Sequence, residues 1–329
     1  MRSIVYKPVR LIILFTVLFA YGCQTPPKEG IFKDKEIPAD KATQLRQLNT
    51  DFFKAVKTDI DDAELLCSKE LLEEKRLKVK FDYVTRLRNE AEYTLLKDYY
   101  IVNKGGNNDD DILKAIDNPE VNYQPLAKEM YLAFFIPKQK QNKIMLTLVY
   151  ANYDIGWKVN EIAIGHYTQQ GKTATQLFEI AKKDYAQGYL VNAINNIALA
   201  GNCLSGSNYL KAANREEIGQ FTEMILKEAN SKFTYPLKIS SVKTNPAIIS
   251  ISSDAKEDKF VQYIYYLTRL KLTDTAAVRK ENEQVQKQLP KIFPGIDKGK
   301  KTIFYSAMNQ KPIVGKSIAH MDFEEKIDN

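Results

Sequence analysis

Histidine is nearly missing from this chain: only His166 and His320 occur in 329 residues. Without Cys or His partners at ligand spacing, neither supports a zinc site. Cysteine is almost as scarce, with Cys23, Cys67 and Cys203 as the full set, which excludes a disulfide-dense scaffold. No G-x-S-x-G nucleophile turn, H-E-x-x-H or G-x-G-x-x-G occurs. Their absence argues against the common hydrolases and dehydrogenases, while leaving open an enzyme assembled from distant residues. A basic stripe is lacking too. The formal charge is +7, but the lysines are interleaved with Glu and Asp, so the pI near 8.9 carries little weight for nucleic acid. No apolar run beyond residue 23 approaches the roughly 20 residues that span a bilayer.

What is present begins at the N-terminus. Arg2, Lys7 and Arg10 form a positive region, and Leu11 to Ala20 is apolar except for Thr16. Ala20-Tyr21-Gly22-Cys23 follows. This is the layout of a secretory signal, and its last four residues resemble the lipobox of bacterial lipoproteins. The resemblance implies cleavage before Cys23 and fatty acylation of that residue. Stable anchoring needs two or more chains, each buried methylene contributing about 0.8 kcal/mol. Gln24 follows the cysteine where the best-known inner-membrane lipoproteins have Asp, so the resemblance implies the outer membrane. Removal of 22 residues leaves 307 and lowers the net charge to +4, a length that suits two or three domains. Cys67 and Cys203 lie far apart among apolar neighbours and read as two separate, half-buried thiols, although an exported compartment permits a disulfide.

The fold class expected is α+β and multidomain. Residues 1–22 read as the signal and 23–41 as the lipidated cysteine with a tether, in which Pro26, Pro27, Gly30 and Pro38 among alternating charges cannot build a core. In 42–167, Leu45, Leu48, Phe52 and Val56 mark an amphipathic helix. A second helix is expected over Ala63–Lys75 and a strand over Tyr99–Val102. Met130–Ile136, Ile144–Tyr153 and Trp157–Ile164 read as an antiparallel meander. This order, closing on Gly156, Trp157, Lys158, Val159 and Ile162, resembles the cystatin-like α+β cone of nuclear transport factor 2 and the SnoaL-type cyclases. Members use the cone as an enzyme pocket, a ligand pocket or a docking surface, so fold alone does not give function.

Residues 173–232 read as a helical hairpin bundle. Thr173 and Gln176 form a capping box, Gly188 breaks the first helix, and Ile218, Phe221, Ile225 and Ala229 mark the third. Ala181, Tyr185, Gly188, Ala193, Ile194, Ile197 and Ala200 resemble one tetratricopeptide repeat, without the neighbours a solenoid requires. Residues 236–310 read as a small β-β-β-α-β unit with strands at 237–242, 247–253, 260–272 and 302–307. Its helix runs over 273–293 and is ended by Pro290 and Pro294. The tail over 311–329 reads as loosely ordered.

The candidate chemistry is thin. Gly171-Lys172-Thr173 follows a strand and opens a helix, as a phosphate loop does, but His166 stands where that loop needs its first glycine. Gly315-Lys316-Ser317 fails likewise, with Gln310 in that place. Asp109-Asp110-Asp111 lacks the alternate spacing of an EF-hand and reads as a loop capping a helix over Ile112–Ile116. Asp59, Asp61, Asp62 and Glu64 suit a helix's first turn. Trp157 and His166 are the candidate cone-pocket residues, with His166 a candidate general base. Tyr185, Tyr189 and Tyr265 are the candidate partner surface. Tyr263 and Tyr265 share one strand face, and Ile264 and Tyr266 the other. No cofactor, metal or nucleic acid is expected. The leading reading is a lipid-anchored, non-catalytic binding or assembly module with an envelope-protein partner. The alternatives are an enzyme or small-ligand carrier using the cone, and a structural envelope component.

Overall fold

The computed structural model describes residues 28–106, 112–204, 206–256, 259–300 and 302–327. The signal segment, Cys23 and the Asp109–Asp111 loop lie outside them. The chain is mixed α+β, with two five-stranded sheets and eight α-helices among the described residues.

The first sheet is fully antiparallel in chain order: β1 (Gly30–Lys33), β2 (Tyr93–Val102), β3 (Glu129–Pro137), β4 (Ile144–Tyr153) and β5 (Gly156–His166). Bulges between Leu95 and Lys97 and at Val149/Tyr150 interrupt the register and raise the local twist. Alternate residues serve two cores. Tyr100, Tyr131, Phe135, Leu148 and Val159 meet α1 (Ala39–Thr58) and α4 (Leu77–Glu90) through Leu45, Phe52, Phe81 and Val84. Tyr99, Leu132, Phe134 and Val149 form the opposite face, covered by Val121, Tyr123 and Leu210. Burial on both faces explains why β3 and β4 read as continuous apolar runs rather than alternating ones.

Several expectations need correction here. The tether reading fails over its second half: Gly30–Lys33 pairs with Tyr99–Val102, Phe32 stacks on Tyr100 at 6.0 Å, and Ile37 is buried. Strand pairing and the apolar anchors Phe32 and Ile37 outweigh the loop-like composition. The helix expected over 63–75 is two short ones, α2 (Ile60–Leu65) and α3 (Lys69–Leu72). Between them, backbone bonds join Leu66 and Ser68 to Val159 of β5 at 2.8 Å, and the Ser68 hydroxyl caps α3. Asp59 does cap α2, with Asp61 and Asp62 in its first turn. Residues 112–116 are not helical; Lys114 pairs through its backbone with Lys104.

The helical segment consists of α5 (Ala174–Ala186), α6 (Leu190–Leu204) and α7 (Arg215–Lys232), which share one apolar cluster. Thr173 and Gln176 form the reciprocal capping box, and Gly188, at φ 78°, turns the chain where a side chain would strain it.

The second sheet runs β10 (His320–Lys326), β9 (Thr302–Met308), β8 (Lys259–Leu267), β7 (Ala247–Lys256), β6 (Leu237–Lys238). β8 and β9 are parallel, which requires a crossover; α8 (Thr275–Ile292) supplies it, capped by Asp274. The tail is not loose: His320–Lys326 pairs along the whole of β9 and buries Phe323. Pro290 does not end α8 but lies within its last turn, where its missing N–H forfeits only one bond. The first and third expected strands shorten to 237–238 and end at 267.

Candidate functional site

A half-open groove of about 510 Å³ lies between α1, α4 and the end of the first sheet where β2 begins and β3 finishes. Its floor is apolar. Phe53 meets Phe135 edge-on at 5.0 Å, with Val56, Val84, Tyr93 and Leu95 beside them. Its walls carry Arg46, Lys54, Lys57 and Arg88, and no carboxylate lines it. Helical spacing creates this charge pattern, since Arg46, Asn49, Thr50, Phe53, Lys54 and Lys57 recur at three- and four-residue steps along one stripe of α1.

Arg88 sits with its guanidinium 3.8 Å above the Phe53 ring. It makes no hydrogen bond or ion pair among the described residues, and desolvation lowers its pKa. A guanidinium over an aromatic face keeps its donors for a ligand. Arg46 is positioned differently. Its Nε donates to Asp98 Oδ2 at 3.0 Å, and that hydrogen bond raises its pKa. Asp98 is 1% exposed and also accepts from Tyr131 Oη at 3.0 Å. Tyr131 in turn accepts from Asn49 Nδ2 at 3.0 Å. Asn49 Oδ1 is buried with no partner, and it belongs to a groove residue. The acids next in sequence to lining residues are engaged elsewhere: Glu90 by Arg86 and Lys140, Glu92 by Lys138, and Asp51 by Gln47. The arrangement is suited to hold an anion whose body is apolar or aromatic.

Trp157 and His166 do not line this groove. They sit nine residues apart on β5, so at about 3.3 Å per residue they are near opposite ends of a strand roughly 30 Å long. Trp157 packs against the first core. His166 Nδ1 is buried without a partner, and its carbonyl oxygen lies 2.5 Å from where a side chain on Gly206 would begin. It therefore lies under a close crossing of chain.

Tyr185 and Tyr189 are half-exposed and hold partners within the chain. The Tyr185 hydroxyl donates to Glu228 at 2.7 Å and its ring meets Phe221 at 5.6 Å. Tyr189 packs so tightly on Gly295 that a Cβ there would be 2.3 Å from its ring. Tyr265 does face away from the core between the second sheet and α8, which takes Ile264 and Tyr266, and is half-exposed beside Tyr263, which stacks on Phe304 at 5.5 Å. Arg88 and the rest of α4 have no place in the sequence reading. Leu77, Phe81, Val84 and Leu87 at four- and three-residue steps were the available signal.

Nucleophile chemistry has little support among the described residues. Cys67 and Cys203 are buried and free, and desolvation pushes their thiols up to about 12 and 11, so little reactive thiolate forms at neutral pH. No group of three His, Cys, Asp or Glu side chains suited to a metal ion occurs among the described residues. No described helix is long and apolar enough to cross a membrane. No protein-family model, curated protein or solved structure matches the chain.

Proposed function

We propose that this protein is a lipid-anchored module of the outer membrane that binds an acidic amphiphile without transforming it. The groove is its ligand site and Cys23 its anchor. The observation that carries the reading is the groove itself: four cations, no carboxylate and a paired-phenylalanine floor. The helices and bulged meander that build it support assigning residues 42–167 to the cystatin-like cone, and the α5–α6 pair supports a tetratricopeptide-like spacer. The ligand expected has one anionic head for Arg88 and Lys54 and an apolar body over Phe53. A charge-assisted hydrogen bond contributes about 1.5–3 kcal/mol.

Native mass spectrometry of the full-length protein extracted from its own membranes tests this. A single acidic amphiphile retained by the wild type and lost from Arg88→Gln is expected. A retained neutral lipid, or a retained ligand unaffected by Arg88→Gln, would overturn the reading. Metabolic labelling with an alkynyl fatty acid tests the anchor. Label and membrane association should both vanish in Cys23→Ala, and their persistence would contradict it.

A further inference from the structure

A second cleft lies at the seam of α5, α6 and the 294–300 loop, with a volume of about 530 Å³. It is unlike the first. Its lining is mostly amide and ammonium, with Tyr189 its one aromatic, and its innermost charge is a buried lysine. Lys300 is 4% exposed, and its Nζ donates to Asn192 Oδ1 at 2.6 Å. Asn192 is itself buried and donates to the Gly295 carbonyl at 2.7 Å, so the loop fixes the amide that holds the ammonium. Lys172, Lys183 and Lys298 stand at the mouth. One carboxylate, Asp184, lines the cleft and accepts from Asn196 at 2.8 Å. The lining therefore has a net charge of +3. Gln170 adds a buried Nε2 donor that has no partner. It is held by a residue with φ 51°, in a turn closed by paired Gln169–Lys172 backbone bonds at 3.0 Å. That turn carries the Gly171-Lys172 pair of the sequence, which forms no phosphate loop in its own right but delivers Lys172 to this cleft.

We propose that this cleft binds a phosphoryl group carried on a small molecule, with Lys300 and Gln170 as its inner donors. A phosphate monoester carries about −1.5 to −2 charge and three acceptor oxygens. That matches a +3 lining with an unpartnered amide donor better than a single carboxylate does. Removing the Lys300 ammonium from water disfavours its charged form and lowers its pKa to about 8. The charged groups facing it are Asp184 from α5 and Asp297 from the loop, both of which favour the ammonium, together with the lysines at the mouth. An arriving dianion favours the ammonium further, so binding near pH 8 takes up a proton.

The test is isothermal titration of the full-length protein at pH 8 with glycerol 3-phosphate, inorganic phosphate and malonate, each in two buffers of different ionisation heat. Saturable binding of glycerol 3-phosphate is expected, with proton uptake read from the buffer dependence and malonate weaker by about 10-fold or more. Lys300→Met, which also removes a desolvated charge and so should fold, is expected to abolish proton uptake and weaken binding about 10- to 100-fold. Gln170→Ala should weaken it about 10-fold with uptake retained. Inorganic phosphate binding as tightly as the ester would reduce the site to one for the free ion and overturn the small-molecule part. No saturable binding, or equal binding by Lys300→Met, would overturn the site itself. The result is separable from the α1–α4 groove, because Arg88→Gln leaves this cleft untouched.

Discussion

Replacing Asp98 by Asn is the sharpest perturbation of the first core. The carboxylate is 1% exposed and receives Arg46 Nε at 3.0 Å and the Tyr131 hydroxyl at 3.0 Å. The amide keeps one acceptor oxygen but loses its charge and brings two N–H donors toward groups that also donate. A bond to a charged partner contributes about 1.5–3 kcal/mol and a neutral one about 0.5–1.5. The Arg46 side chain is 47% exposed, so its share is discounted for solvent screening. The Tyr131 hydroxyl is buried and has no water to turn to. The expected loss is about 2–3 kcal/mol. With a urea slope of about 1–3 kcal/mol per molar, the midpoint should fall by about 1 M. Several cores need not melt together, so the probe matters. Trp157 is the only tryptophan and packs on this core, so its fluorescence reports the local transition. Combining Asp98→Asn with Tyr131→Phe should cost less than the two single losses added, because both remove the same Tyr131–Asp98 bond. A loss below about 0.5 kcal/mol for Asp98→Asn, or strictly additive losses in the double variant, would refute the network's role.

Other outcomes follow from the same geometry. Ellman's reagent should react slowly with Cys67 and Cys203 in the native protein and rapidly after unfolding, with fast native labelling contradicting their burial. Gly295→Ala should destabilise by about 2 kcal/mol or more, since it forces a side chain at φ 76° and into the Tyr189 ring; an unchanged melting curve would refute the close approach. Glu120 is held down to about 2, first by its hydrogen bond from Lys33 and then by that from Tyr99. A depressed carboxylate stabilises above its unfolded pKa, so stability should fall from about pH 4.5 toward pH 2. Glu120→Gln should flatten that slope in acid titrations followed by circular dichroism, modestly because the side chain is 42% exposed. Lys300 has the opposite signature. Its lowered pKa costs stability while it is charged, so stability should rise between pH 8 and pH 10.5, by at most about 3 kcal/mol. Lys300→Met should remove that rise.

β3, β4 and β5 were legible because β-branched and aromatic runs of seven to ten residues leave few alternatives, whereas only the Tyr99–Val102 end of β2 was. The α5 start was legible because Thr173 and Gln176 carry a capping box whose logic is local. β1 and β10 were not. Each becomes a strand only because its neighbour offers an unpaired edge, which composition does not encode. The split between α2 and α3 depends on Val159, more than ninety residues away along the chain from Leu66. The site was harder still. Trp157 and His166 stand out as rare residues in an unusual strand, but rarity does not place side chains in one cavity. The groove is made of lysines and arginines that look like ordinary solvated helix charges in the sequence. What distinguishes them is that no carboxylate lines the groove they share, Asp98 meeting Arg46 from a buried position, and this is a property of the folded surface. Arg88 becomes visible only once α4 is read as a helix.

The central claim is that the α1–α4 groove binds anionic amphiphiles. Titrating the full-length protein with 1-anilinonaphthalene-8-sulfonate, an aromatic body with one sulfonate, tests it most directly when the uncharged parent amine serves as competitor. The account predicts one saturable site that weakens with added salt and is about 10-fold weaker in Arg88→Gln. The neutral amine should displace the dye poorly. Equal binding by Arg88→Gln, no salt dependence, or efficient displacement by the neutral amine would contradict it.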